Sequence, residues 1–306
     1  MAAGAMAVSM FPDISQEVSL SLKIYTTAAY KLWPDEYKNI IDTMPTDLLL
    51  EKVMNYEGPG AGTLKGEGLK SSQERIYEGN IESFSQKTYS LELPVTLEQR
   101  WYAYKNAGFM QQLGTYLSRS MKILDEYDSA NVINNGFSAT AAAGYDGKAY
   151  FAADHTWRSD SSLYDNLLNP VDMGRDPLET GIQRFAYQTM EFGIPMAARP
   201  EKINISWENL FTLPELLKSI RDPESANNTH NALKDQGLST NLNHYLTDTD
   251  GYVIDSERKT RRMYRKQKTK FDSYFDQPTM NLVERAHNAH AVGFVFQAAS
   301  MGSQGG

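Results

Sequence analysis

The chain has 306 residues, 41% hydrophobic and 22% charged, a composition typical of a folded, soluble protein whose length fits two domains better than one. Its net charge of -8 argues against general binding to polyanions and leaves room only for a local basic patch. There is no cysteine, which excludes disulfides, thiolate zinc sites and cysteine nucleophiles and fits folding in a reducing cytoplasm.

The first 26 residues lack the basic start and apolar core of a signal peptide, and no apolar run approaches the ~20 residues of a membrane span. Residues 1–50 read as an N-terminal arm, aromatic-rich and broken by Pro34 and Pro45. Such a segment either packs on another element or subunit or forms the first helix of an ordinary domain. Residues 51–96 read as an extended hairpin. Five glycines between Gly58 and Gly68 disfavour helix and strand alike and suit an exposed tip. No Walker loop is present, because no GxxxxGK is followed by Ser or Thr. Behind the tip, Tyr89, Leu91, Leu93 and Val95 alternate with polar neighbours like a half-buried strand, here taken as the returning arm of that hairpin.

Over 97–136 the period changes. Leu97, Trp101, Tyr104, Met110, Leu113, Leu117, Met121 and Leu124 recur at helical steps and predict a long spine helix. Asn135-Gly136 suits a left-handed cap at its end. Residues 137–257 form a mixed body. It holds a hairpin over 141–160 turning at Asp146-Gly147, a strand over 199–206, and helices over 176–193 and 210–221. Residues 258–306 carry a basic run and then the apolar, strand-like stretch Met280 to Met301.

Chemistry finds few footholds. His287 and His290 lie three apart on a predicted strand, which puts them on opposite faces rather than around a metal. Leu246 to Glu257 has the acidic spacing of a calcium loop, but Leu246 stands where the first carboxylate belongs, so a turn of Asp and Gly is preferred. Asp154 and His155 are adjacent on a strand and point apart, and no GxSxG elbow exists to hold a nucleophile. The run Ser256 to Lys270 has eight Lys or Arg in fifteen residues. Arg261, Arg262 and Arg265 are assigned to contacts with carboxylates of a neighbouring copy, slightly ahead of phosphate contacts with nucleic acid.

Together these segments resemble tailed-bacteriophage major capsid proteins. The resemblance rests on Asn134, Asn135, Phe137 and Ser138, then on Gly144, Asp146, Gly147, Lys148, Phe151 and His155. Arg199-Pro200-Glu201-Lys202, Ala226-Asn227-Asn228, His244 to Asp250 and Glu284-Arg285 follow in the family's order. The first 55 residues match nothing in the family, and Thr156 follows His155 where Pro is commoner. The resemblance implies an α+β, Hong Kong 97-like capsid fold: N-terminal arm, E-loop hairpin, spine helix, peripheral domain and axial domain. It implies a structural protein, not an enzyme, with no catalytic, cofactor or metal site. This protein would assemble in the bacterial cytoplasm into the icosahedral head of a virion around double-stranded DNA. The implied partners are hexamers and pentamers of itself, portal and scaffolding proteins, decoration proteins, and DNA held without sequence preference. An arm starting near Met1 points to a separate scaffolding protein. In relatives a lysine of the E-loop sometimes forms a crosslink, and Lys65 and Lys70 occupy that region as contact candidates. An encapsulin-type compartment shares the fold, and a metal-dependent hydrolase is the enzyme alternative.

Overall fold

The computed structural model describes residues 26, 28–57, 62, 64–65, 67–68, 70–71, 73, 76–99, 107–141, 143–158, 160–221, 230–248, 250–257 and 260–306. Trp101, Tyr104 and Ala226-Asn227-Asn228 therefore lie outside the described residues.

A long hairpin forms the backbone of the first sheet. Strand β10 (Arg261–Asp276) pairs antiparallel with β11 (Asn281–Phe294). On its other side β10 takes the short parallel strand β1 (Asp42–Pro45). Strand β4 (Lys87–Val95) closes the far side of β11. Helix α1 (Ala107–Asn134), about 42 Å long at ~1.5 Å per residue, packs on this sheet. Leu117 and Met121 meet Phe271 and Ala286, and farther along the helix Leu113 and Phe109 meet Val95 and Leu282. Leu113 is only half-buried, so Leu117 and Met121 are the better-shielded part of the apolar stripe.

The glycine-tipped hairpin is built differently from the sequence reading. Its two arms are β2 (Leu50–Glu57) and β3 (Tyr77–Ser85). β4 is not its return arm; after Gln86 the chain leaves the hairpin and joins β11. Strand alternation identified β4 as a strand but carried no information about its partner. The hairpin root is seated by Phe84, whose ring meets Tyr264 edge-on at 4.9 Å. Gly293 makes that possible, since a Cβ there would lie 2.8 Å from the Phe84 ring.

The second sheet has the order β12-β9-β7-β8. Strand β7 (Pro200–Ser206) runs parallel to β8 (Ser239–Asn243) and antiparallel to β9 (Tyr252–Ser256), and β12 (Ser300–Ser303) pairs with β9. Its core joins Ile203, Ile205, Ile254 and Met301 to Trp157. Leu178 and Phe185 of helix α2 (Arg175–Tyr187) and Leu213, Leu216 and Leu217 of helix α3 (Thr212–Lys218) complete it. Both helices are shorter than their predicted spans. Gln188 turns extended after α2, and Ser219 does so after α3.

Between the two sheets runs the chain from α1. The helix ends at Asn134, but Gly136 does not adopt a left-handed conformation. Its role is room: a Cβ would sit 3.0 Å from both the Ile133 carbonyl and the Phe151 ring. The expected hairpin over 141–160 reduces to a bridge between Ala143 and Ala149, with Gly147 at φ 74 in the turn. Thereafter β5 (His155–Thr156) pairs with β6 (Leu163–Tyr164).

Candidate assembly surfaces

Charged residues converge where α1 crosses the first sheet. Asp125 of α1 is fully buried and accepts from Arg265 Nη2 at 3.0 Å, Tyr30 Oη at 3.2 Å and Asn288 Nδ2 at 3.3 Å. One turn on, Asp128 faces His290 Nε2 at 2.9 Å, and the Tyr89 ring stacks on that imidazole at 4.9 Å. Burial opposes ionisation of Asp128, yet hydrogen bonds from His290 and Tyr89 hold its carboxyl below the ordinary value. Burial, with Asp125 nearby, pushes the Tyr30 phenol up to about 12. The arm is tied to the same helix. Lys122 pairs with Asp35, and the Glu36 N–H donates to Glu126 Oε1 at 2.9 Å. Burial raises the Glu126 carboxyl to about 7. The described part of the arm thus packs on its own chain.

The basic run divides by burial. Arg261 is buried, pairs with Asp255 and donates through Nε to the Ile40 carbonyl at 3.1 Å. Asp255 also accepts from Asn204 at 2.5 Å and Ser300 at 2.7 Å, which supplies the buried carboxylate with donors. Arg265 is held by Asp125. The carboxylates expected from a neighbouring copy are therefore supplied to Arg261 and Arg265 by their own subunit. Sequence spacing missed this because the partners lie on β9 and α1. Arg262 is half-buried, with Nη1 3.2 Å from Tyr264 Oη. Lys266, Lys268 and Lys270 are exposed on β10 beyond the last residue paired with β1. Lys65 and Lys70 are also exposed, near the hairpin tip.

The remaining sequence candidates are structural. His155 is fully buried, with Nδ1 2.7 Å from Asp146 Oδ2 and its ring stacked on Tyr164 at 4.9 Å. Asp154 points outward and pairs with Lys148 at 2.8 Å. His290 faces α1, while His287 lies 3.5 Å from Asp272 of β10. Asp248 Oδ1 accepts the N–H groups of Asp250 and Gly251, closing a turn, and Leu246 is buried in the core. Among the described residues no group of His, Asp and Glu is arranged to hold a metal. An open groove of about 470 Å³ runs between the hairpin root, the end of α1 and β11. On its wall Glu82 accepts the Tyr145 N–H at 3.2 Å, and burial raises its carboxyl to about 7.

Two exposed apolar groups escaped the sequence reading. Leu48, Leu49 and Leu50 stand in the open at the hairpin root, and Tyr274, Phe275 and Met280 do so at the β10–β11 tip. The triple leucine was the available signal; of the tip residues the sequence reading assigns only Met280, as the start of a strand-like stretch.

This arrangement of arm, hairpin, spine helix and two sheets is the α+β fold of phage capsid subunits. The mature capsid protein of bacteriophage PhiM1 is similar with a TM-score of 0.55 at 11% identity, covering 89% of this chain and 87% of that one. The capsid protein of cyanophage P-SCSP1u gives 0.56 at 8%, with 88% of each chain covered. A phage-related protein from Bordetella bronchiseptica gives 0.53 at 13%, covering 92% and 95%. No protein-family model matches the chain, and no curated protein matches it in sequence.

Proposed function

We propose that this chain is the major capsid protein of a tailed bacteriophage, self-assembling into the icosahedral head shell around double-stranded DNA. The observation that carries the reading is the correspondence of nearly the whole chain to capsid subunits, both chains being covered to about nine-tenths. The role is structural, and the buried placement of His155 and His290 suits it. On this reading residues 1–50 are the arm, 51–96 the E-loop region and 97–136 the spine of a peripheral domain completed by 258–306. Residues 137–257 are the axial domain. Lys65, Lys70 and Arg262 contact neighbours or DNA, while Arg261 and Arg265 brace the subunit. Weak contacts repeated over several sites per subunit sum to cooperative closure. Portal, scaffolding and decoration proteins would act on the shell so formed.

The test is to express the full chain, with and without a scaffolding protein from the same genome, and inspect it by size-exclusion chromatography and negative-stain microscopy. Closed particles are expected. A monomer or small oligomer under both conditions would overturn the reading.

A further inference from the structure

Strand β10 is polarised along its length. Midway along it Lys266, Lys268 and Lys270 are exposed, and Lys266 Nζ donates to the Asp47 carbonyl at 3.1 Å. Lys266 therefore lies beside Leu48 and Leu49, which are 56% and 70% exposed, and Lys268 and Lys270 lead from it toward the hairpin tip. At its far end the character inverts. Tyr274 and Phe275 are 41% and 47% exposed, flanked by Asp272, Asp276 and Glu92, with Arg285 and His287 beside Asp272. The stretch beside the hairpin root is apolar and mainly basic, with Asp47 as its exposed acid; the far end is aromatic and mainly acidic. Exposed apolar groups of this size mark contact surfaces, and opposite charge beside each selects the pairing.

We infer that the tip of one subunit's β10–β11 hairpin docks on the leucine-and-lysine root of a second copy of this chain. Phe275 and Tyr274 meet Leu48 and Leu49 there, while Asp272 and Asp276 face Lys266 and Lys268. The contact joins two different patches, so it repeats head to tail and closes only where the geometry makes a ring. The inference rests on the shell reading above.

The absence of native cysteine gives a clean test. Phe275 lies nine residues along β10 from the residue that touches Asp47, roughly 30 Å at ~3.3 Å per residue, far beyond the ~7 Å Cα limit of a disulfide. In the double variant Leu49→Cys, Phe275→Cys, oxidised particles should run as ladders of linked subunits on denaturing gels, whereas neither single variant should. A linked dimer from Phe275→Cys alone would mean that tips meet tips and would overturn the inference. Separately, Lys266→Glu with Lys268→Glu should abolish particles while leaving circular dichroism unchanged, and adding Asp272→Lys with Asp276→Lys should restore them. If the unaltered chain forms particles but the ladder and the restoration both fail, the docking inference falls and the shell reading stands. If the unaltered chain forms none, the shell reading itself fails.

Discussion

Between α1 and the first sheet lie Asp125, Asp128, Arg265, Asn288 and His290, whereas between the second sheet and its helices lie Leu178, Phe185, Ile203, Ile254 and Leu213. The first seam sets buried charge beside its apolar contacts, and the second is closed by hydrocarbon. Hydrocarbon contacts tolerate sliding, because dispersion and burial are non-directional. A buried carboxylate with three donors fits in one register only. The difference teaches that the spine helix is located more than it is glued, which suits an element that carries the arm on its back.

The largest expected effect is at the charged seam. Asp125→Ala should destabilise the subunit by about 3–5 kcal/mol, because it leaves the Arg265 guanidinium uncompensated. The paired replacement Asp125→Leu, Arg265→Met should cost far less, and urea unfolding of the three proteins would measure it. Equal losses from the single and paired changes would erase the contrast between the seams. In the hydrocarbon seam, Leu178→Ala should cost about 2–5 kcal/mol, with no change that a partner substitution could rescue. On the helix itself, Leu117→Ala should cost more than Leu113→Ala, since Leu117 is buried and Leu113 half-buried. Reversed order in thermal melts would mean that the stripe is mis-assigned.

A smaller effect concerns pH. Glu82 and Glu126 have folded-state carboxyls raised from 4.5 to about 7. The folded state therefore binds protons more tightly than the unfolded chain. Their contribution is full below about pH 4.5 and is lost as pH rises through about 7. Glu82 faces Asp146 and the Tyr145 N–H; Glu126 faces Asp35, Glu36 and the backbone of Glu36 and Tyr37. Glu82→Gln with Glu126→Gln should flatten the fall in unfolding free energy between pH 5 and 8. An unchanged slope would place the titration elsewhere.

Much of this was legible from pattern. The helical steps of Leu113, Leu117 and Met121 gave the spine, and alternation gave β4 and β7. The glycines fall in sequence between the two arms β2 and β3. What pattern could not carry was pairing. β4 shows the same alternation whether it returns along the hairpin or crosses to β11. Arg261 and Arg265 sit in a run that looks solvent-facing, yet their carboxylates arrive from β9 and α1. A triple replacement of Arg261, Arg262 and Arg265 by Gln, which the run alone suggests would leave melting unchanged, is now expected to lower it sharply. Asp154 and His155 do point apart, although only His155 lies in a strand, and Asp146 as the histidine's partner lies nine residues back, across the turn.

The bond from Arg261 to the Ile40 carbonyl joins positions 221 residues apart. At ribosomal speeds of ~5–20 residues per second, β1 waits for more than ten seconds before its sheet partner exists. Through that interval the hydrocarbon side of α1 has β4 beside it but neither strand of the long hairpin, a topology that folds slowly because distant segments must find each other. A nascent chain of this kind is most vulnerable late in its own synthesis. The proposed docking contact takes shape only after β10 and β11 have emerged, so a partly made subunit lacks that contact with which to enter an assembly.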